Sequence, residues 1–144
     1  MTIAKAYGLG VNALVNGDVD FIGGTVKAAL TSNSYVPNQD THDFFNDVTN
    51  EVSGSGYTGG GVALTSKTAS YNSGTNTLTL DAADPTWATL SIAEIRYVVF
   101  YVDTGDPSTS PLISYMDFET NYAPSAQNFT VNLASTGIIT YTVA

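Results

Sequence analysis

Apolar and polar side chains alternate with period two over several short stretches of this chain, and turn-forming residues separate them. Residues 25–30 (TVKAAL) place Val26, Ala28 and Leu30 on one face, as a strand does because successive side chains point to opposite sides. Residues 67–71 and 76–80 flank Asn72-Ser73-Gly74-Thr75. This reads as a hairpin with a glycine-containing loop, with Leu78 and Leu80 inward and Thr77 and Thr79 outward. Residues 95–103 (IRYVVFYVD) are apolar on both faces, which predicts a central strand covered on both sides. Residues 112–118, 129–133 and 138–143 complete the set, rich in the branched and aromatic side chains that pack well on a pleated surface.

Turn signals fall at Gly23-Gly24, Pro37-Asn38, residues 54–61, Asp84-Pro85, Gly105-Asp106-Pro107 and Pro124. Short strands at this spacing predict an all-β fold, an antiparallel β-sandwich or jelly-roll-like domain. One short helix is expected near residues 40–48. Asp40 stands as its cap, acids follow in its first turn, and Phe44 and Val48 lie four apart. The first 24 residues alternate poorly and are rich in Gly, Asn and Ala. Residues 1–24 are read as an N-terminal arm or as a hairpin turning at Asn16-Gly17, part of the same unit as the β-sandwich of residues 25–144. An arm in this place would pair with a neighbouring subunit.

The 144-residue length suits one domain, large enough for a core that needs no staple. The chain has no cysteine, so disulfides and thiolate metal sites are excluded. Thirteen acids against four bases give a net charge of -9, and Lys5, Lys27, Lys67 and Arg96 are scattered. Such a polyanion has no means of neutralising phosphates, so neither nucleic acid nor an anionic membrane is an expected partner. No stretch is long and apolar enough to span a bilayer, and the N-terminal Met1-Thr2-Ile3-Ala4-Lys5 has no apolar run behind it, so no signal peptide is expected. Only 12% of residues are charged while 43% are hydrophobic. A surface of Thr, Ser, Asn and Gly of this kind resembles those of extracellular and virion β-proteins.

The candidate chemistry is sparse. His42 is the sole histidine, and its neighbours Asp40 and Asp43 sit too close in sequence to converge with it on one ion. Gly54-Ser55-Gly56 lacks the G-x-S-x-G pattern of a nucleophile elbow. Gly59-Gly60-Gly61 lacks the Lys-Ser/Thr ending of a phosphate loop and precedes a strand, so it reads as a flexible loop or bulge. The carboxylate groups Asp18/Asp20, Asp40/Asp43/Asp47, Asp81/Asp84 and Asp103/Asp106 all lie in predicted turns, where Asp bonds local backbone. None has EF-hand spacing, which leaves loop-bound calcium as the softer alternative. Trp87 follows a turn beside Pro85 and is read as a core anchor ahead of a sugar-stacking platform formed with the nine tyrosines. Asn128-Phe129-Thr130 matches a glycosylation sequon, meaningful only in a eukaryotic secreted chain. No catalytic residue, cofactor site or metal site is assigned, and the chain is not expected to be an enzyme.

Three stretches carry a resemblance. They are TVKAALTSNSYVPNQDTHDFFNDV (25–48), NEVSGSGYTGGGVALTSKTASYNSGTNTLTLDAADPTW (50–87) and IRYVVFYVDTGDPSTSPLISYMDF (95–118). Their order resembles small virion structural proteins of tailed bacteriophages. The resemblance implies a decoration (cement) protein on the capsid exterior, with the major capsid protein and copies of itself as partners, in a homotrimer. On this reading residues 2–10 and the 54–61 loop contact neighbours. A tail, neck or fibre component is the alternative structural role, and a carbohydrate-binding adhesin module is the alternative from another class.

Overall fold

Strand β7 (Ile95–Val102) lies in the middle of the molecule because both of its faces are apolar. In the computed structural model, which describes residues 4–143, β7 is flanked by β8 (Leu112–Tyr122) and β2 (Val26–Thr31). Two short strands, β1 (Lys5–Ala6) and β3 (Val62–Ala63), close the edges of this five-stranded antiparallel sheet, ordered β1-β8-β7-β2-β3. Two smaller antiparallel sheets complete an all-β, sandwich-like fold. One has the order β10-β5-β4, from β4 (Thr68–Asn72), β5 (Thr77–Asp81) and β10 (Ile139–Thr142). The other pairs β6 (Thr86–Leu90) with β9 (Gln127–Thr130).

Side-chain alternation sorts the five-stranded sheet into two faces. Val26, Ala28 and Leu30 of β2, Val98, Phe100 and Val102 of β7, and Ile113 and Met116 of β8 join the main core. The smaller sheets cover that face with Leu80, Trp87, Leu90 and Ile139, helped by Val131 and Ile138 from the loop before β10. Ser114 Oγ donates to Ile138 O at 2.7 Å and ties the layers together without leaving a buried hydroxyl unpaired. The other face holds Ala29, Val99, Tyr101, Leu112 and Tyr115 against Tyr7, Tyr35 and the half-buried Phe45, Val48 and Tyr97. Both faces of β2 and β7 are therefore covered, and Thr31, opposite Tyr97, is buried with them.

The N-terminal expectation needs correction. No hairpin turns at Asn16-Gly17. Residues Gly8–Asn16 form an α-helix, α1. Gly17 adopts the left-handed conformation (φ 83°), its N–H bonds Leu14 O at 3.2 Å, and Asp18 N bonds Ala13 O at 2.9 Å. These two bonds are the Schellman pattern that satisfies the last carbonyls of a helix. The same capacity for positive φ that suits glycine to a hairpin turn serves here as a helix stop. Residues 1–3 lie outside the described residues, and β1 pairs with β8 of the same chain, Lys5 opposite Tyr115.

The helix expected near residues 40–48 is shorter than anticipated, a single 3-10 turn over Phe45–Asp47. No side chain caps this turn, whose N-cap is Phe44 rather than Asp40, and Asn38 Oδ1 instead braces the preceding turn by accepting from Asp40 N at 3.0 Å and Thr41 N at 3.2 Å. Phe44 is extended and bridges Pro111 on the neighbouring chain segment, which takes it out of helical register with Val48.

Candidate functional site

Several of the carboxylates singled out in the sequence bond nearby backbone as turn carboxylates do, while Asp84 ties two distant segments and Asp81 lies in β5. Asp20 accepts from Gly23 N at 2.8 Å, Asp47 from Asp43 N at 2.9 Å, Asp84 from Leu133 N at 2.8 Å and Asp106 from Ser108 N at 2.9 Å. Asp103 accepts from Gly105 N at 2.9 Å and pairs with Lys27 at 2.6 Å. The Lys27 bond first, and the Gly105 N–H second, hold its carboxyl below the usual carboxylate range. Among the described residues no three His, Cys, Asp or Glu side chains gather as a metal site, and no helix is long and apolar enough to cross a membrane.

His42 belongs to a hydrogen-bonded chain. Its Nδ1 lies 3.0 Å from the Tyr35 hydroxyl and 3.4 Å from Asn38 N. The Asn38 amide only donates, so Nδ1 is the acceptor and Tyr35 donates to it. The Tyr7 and Tyr35 hydroxyls lie 2.9 Å apart, and the Tyr35 hydroxyl, already spent on His42, accepts from Tyr7. The His42 ring also stacks on Tyr35 with centroids 5.7 Å apart. Burial first, then the neighbouring Tyr35, pushes the Tyr7 phenol far above its ordinary value. Burial likewise lifts Tyr35 to about 12.

The 54–61 loop, expected to be flexible, is stitched to the sheets. Ser55 and Ser91 form a bridge, with Ser91 N on Ser55 O at 2.9 Å. Gly61 has φ 78°, and a Cβ there would lie 1.8 Å from Ala28 O, so only glycine allows the approach to β2. Tyr57 anchors the loop from within. Its hydroxyl donates to Glu51 Oε1 at 2.6 Å and accepts from Leu30 N at 3.1 Å, while Gly60 N donates to the same Glu51 oxygen at 2.6 Å. A cleft of about 290 Å³ opens beside this loop, where Phe45 stacks on Tyr101 at 4.0 Å over the Lys27–Asp103 pair. Its charges are already paired within the chain.

Trp87 is buried at 2% exposure and tilts against Phe129. It is a core anchor and offers no face to a sugar. The sequon residues Asn128, Phe129 and Thr130 lie in β9, paired with β6.

Two surface features go beyond the sequence reading, which places neighbour contacts at residues 2–10 without identifying their side chains. The first is a set of exposed apolar side chains along the N-terminal segment. Gly10, Ala13 and Leu14 of α1 face the sheet, and Gly10 comes so close that a Cβ would lie 2.0 Å from Leu112 O. Leu9 and Val15 remain 39% and 80% exposed, and Ile22 follows at 54%. These are three of the seven exposed large hydrophobic residues among the described residues. A fourth, Val36, lies in the loop that bonds this segment through Gly8 N to Gln39 O at 2.8 Å and Gln39 Nε2 to Ala6 O at 2.6 Å. Helix α1 carries no charged residue.

The second is a groove of about 670 Å³ between the far end of β8 and β9. Phe118, Tyr122 and Phe129 meet edge to face with centroids 5.6–5.9 Å apart, the arrangement that aromatic quadrupoles prefer. Two irregularities shape the groove. Residues 118–121 of β8 stand opposite the single residue Arg96 of β7, and residues 88–89 of β6 stand opposite Asn128 alone. At these bulges Glu119 and Thr89 take positive φ, 60° and 52°, and Ala126 beside β9 takes 51°. For a β-branched Thr this is an outlier that costs roughly 1–3 kcal/mol and persists only where its surroundings enforce it. Asn128 Oδ1 accepts from Thr89 N at 3.2 Å and holds the second bulge in place. The run Phe118-Glu119-Thr120-Asn121-Tyr122 does carry a signal, since two aromatics four apart share one face of a strand. It continues past the expected strand end at residue 118. Comparison with protein-family models, curated proteins and solved structures finds no match to this chain.

Proposed function

We propose that the protein is a structural component of a tailed-bacteriophage virion, a decoration protein seated on the capsid exterior and repeated as a homotrimer. The observation that carries this reading is the concentration of exposed apolar side chains, Leu9, Val15 and Ile22, on one N-terminal segment that is itself fastened to the five-stranded sheet. Exposed apolar surface of this kind marks a protein-contacting face. A helix without charge suits the centre of an interface, where charged residues are depleted. The remaining support comes from the sequence. The order of its motifs resembles phage virion proteins, and a net charge of -9 favours an exterior position over one facing DNA. Many copies on one shell multiply weak contacts into firm retention.

The test is to add the purified protein to capsids that lack it and image the particles at subunit resolution. The expected result is density over capsid-subunit junctions, lost for Val15→Asp and Leu9→Asp. These are surface changes that leave the core intact. A handful of copies at the neck, tail or fibre would replace the decoration role with the tail-component role. Full occupancy by both variants would remove the N-terminal surface from the reading.

A further inference from the structure

We propose that the groove between β8 and β9 is a binding site for a neutral glycan. Its floor is apolar, formed by the buried Met116 and Val131, and its wall is the Phe118–Tyr122–Phe129 cluster. Tyr122 is 45% exposed, so part of an aromatic ring is offered to a ligand. A pyranose has an apolar C–H face and a rim of hydroxyls. It needs an aromatic surface with hydrogen-bonding groups at its edge, the general composition of small-ligand sites.

The rim supplies those groups. Glu119, Asn128 and Asn132 line the groove and are exposed. Because Asn128 Oδ1 is occupied by Thr89 N, its Nδ2 amide hydrogens are the groups left for a ligand, while Glu119 contributes two acceptors. A donor amide and an acceptor carboxylate on one rim match the mixed donor and acceptor character of sugar hydroxyls. The lining contains neither Lys nor Arg, and Glu119 adds to the field of a chain with net charge -9. An anionic sugar would be repelled, so the class is restricted to uncharged saccharides. The positive φ of Glu119 and Thr89 fits this assignment. Both residues belong to the bulges that shape the groove, and bulges commonly re-aim side chains beside binding sites. The glycan site is distinct from the N-terminal surface and stands without it.

Saturation-transfer NMR of the full chain with maltotriose, cellotriose and triacetylchitotriose provides the test, with a triuronic acid as the charged control. The expected result is transfer to the C–H protons of at least one neutral probe and none to the control. Tyr122→Ala and Glu119→Ala are each expected to weaken binding by about tenfold or more, Tyr122→Phe to retain it, and Val15→Asp to leave it unchanged. Melting curves establish that each variant is folded. The proposal is overturned if no neutral probe shows transfer at millimolar concentration, if the uronic acid binds as well as the neutral sugars, or if folded Tyr122→Ala and Glu119→Ala both bind like the parent chain.

Discussion

The molecule holds two aromatic clusters built from the same residue types and finished in opposite ways. On one face of the five-stranded sheet Tyr7, Tyr35, Tyr97, Tyr101, Tyr115 and Phe45 pack with His42 under the N-terminal segment and the 33–48 loop. The Tyr7 and Tyr35 hydroxyls are buried and spent on one another and on His42. At the end of β8 Phe118, Tyr122 and Phe129 also meet edge to face, but beside an open groove. Aromatic content is therefore no guide to role in this chain. What separates the clusters is whether a covering segment approaches closely enough to seal the rings, and that approach depends on small residues and backbone geometry.

The largest effect should come from emptying the sealed cluster. Tyr7 has no exposed surface, and Tyr7→Ala removes a ring and leaves the Tyr35 hydroxyl without one partner. A loss of about 3–5 kcal/mol is expected for a buried aromatic truncated to Ala, read as the midpoint of urea unfolding. A loss below about 1 kcal/mol would mean that the cover is loose and that the two clusters differ less than their packing implies.

Next comes the cover itself. Gly10 lies inside α1, where Ala ordinarily gains about 1 kcal/mol over Gly. Here a Cβ would meet Leu112 O at 2.0 Å, so helix and strand must part. Gly10→Ala is expected to destabilise by about 2–3 kcal/mol, the opposite sign to helix propensity. The exposed Gly59, with nothing within 4 Å of a Cβ, provides the control, and Gly59→Ala should change the melting temperature little.

Alkaline pH separates the clusters through the sealed phenols. Tyr7 and Tyr35 keep their protons in the folded state above the ordinary value of 10.0, chiefly because burial disfavours the phenolate. The unfolded chain loses these protons near pH 10 and so binds fewer than the folded one. Stability is then fully present below about pH 10 and falls as pH rises, by up to about 1.4 kcal/mol per pH unit for each such group. The Tyr35 contribution is exhausted as pH passes its folded value of about 12. Melting temperatures between pH 9 and 11 should decline steeply in the parent chain and more gently in Tyr7→Phe. An identical slope in the two would show that Tyr7 titrates freely.

The legibility of the sequence follows the same division. Strands β2 and β7 stand out because burial on a pleated sheet imposes alternation, or apolarity on both faces, directly on the residues, whereas β4 is exposed along its whole length and the β4–β5 hairpin stands out through its loop Asn72-Ser73-Gly74-Thr75. The two hairpin strands, 68–72 and 77–81, each lie one residue later than the expected segments, with Asn72 opposite Thr77. Helix α1 was hidden because Asn16-Gly17 satisfies both a turn and a helix stop, and only the two bonds to Leu14 and Ala13 distinguish them. Trp87 reads correctly as core, since a large apolar ring beside a strand has few other places to go. The groove was legible only in the spacing of Phe118 and Tyr122, and its assembly with Phe129 was not. Its aromatics come together through extra residues in β8 and β6, and a bulge is a backbone event that leaves no mark in a hydropathy pattern.

The smallest effect belongs to the open cluster. Tyr122 is nearly half exposed and packs on Phe118 and Phe129 only by ring edges. Tyr122→Ala should cost under about 1 kcal/mol in stability, since surface truncations away from buried networks rarely cost more. Set beside Tyr7→Ala in the same urea series, the two substitutions remove the same side chain and should differ by a factor of at least about three. A comparable cost at Tyr122 would place it among the residues that hold the end of β8 to β9, and a structural role would then account for the aromatic trio. A small cost leaves an exposed ring at a strained pair of bulges that stability alone does not explain, which is the condition under which the ligand experiments above are informative.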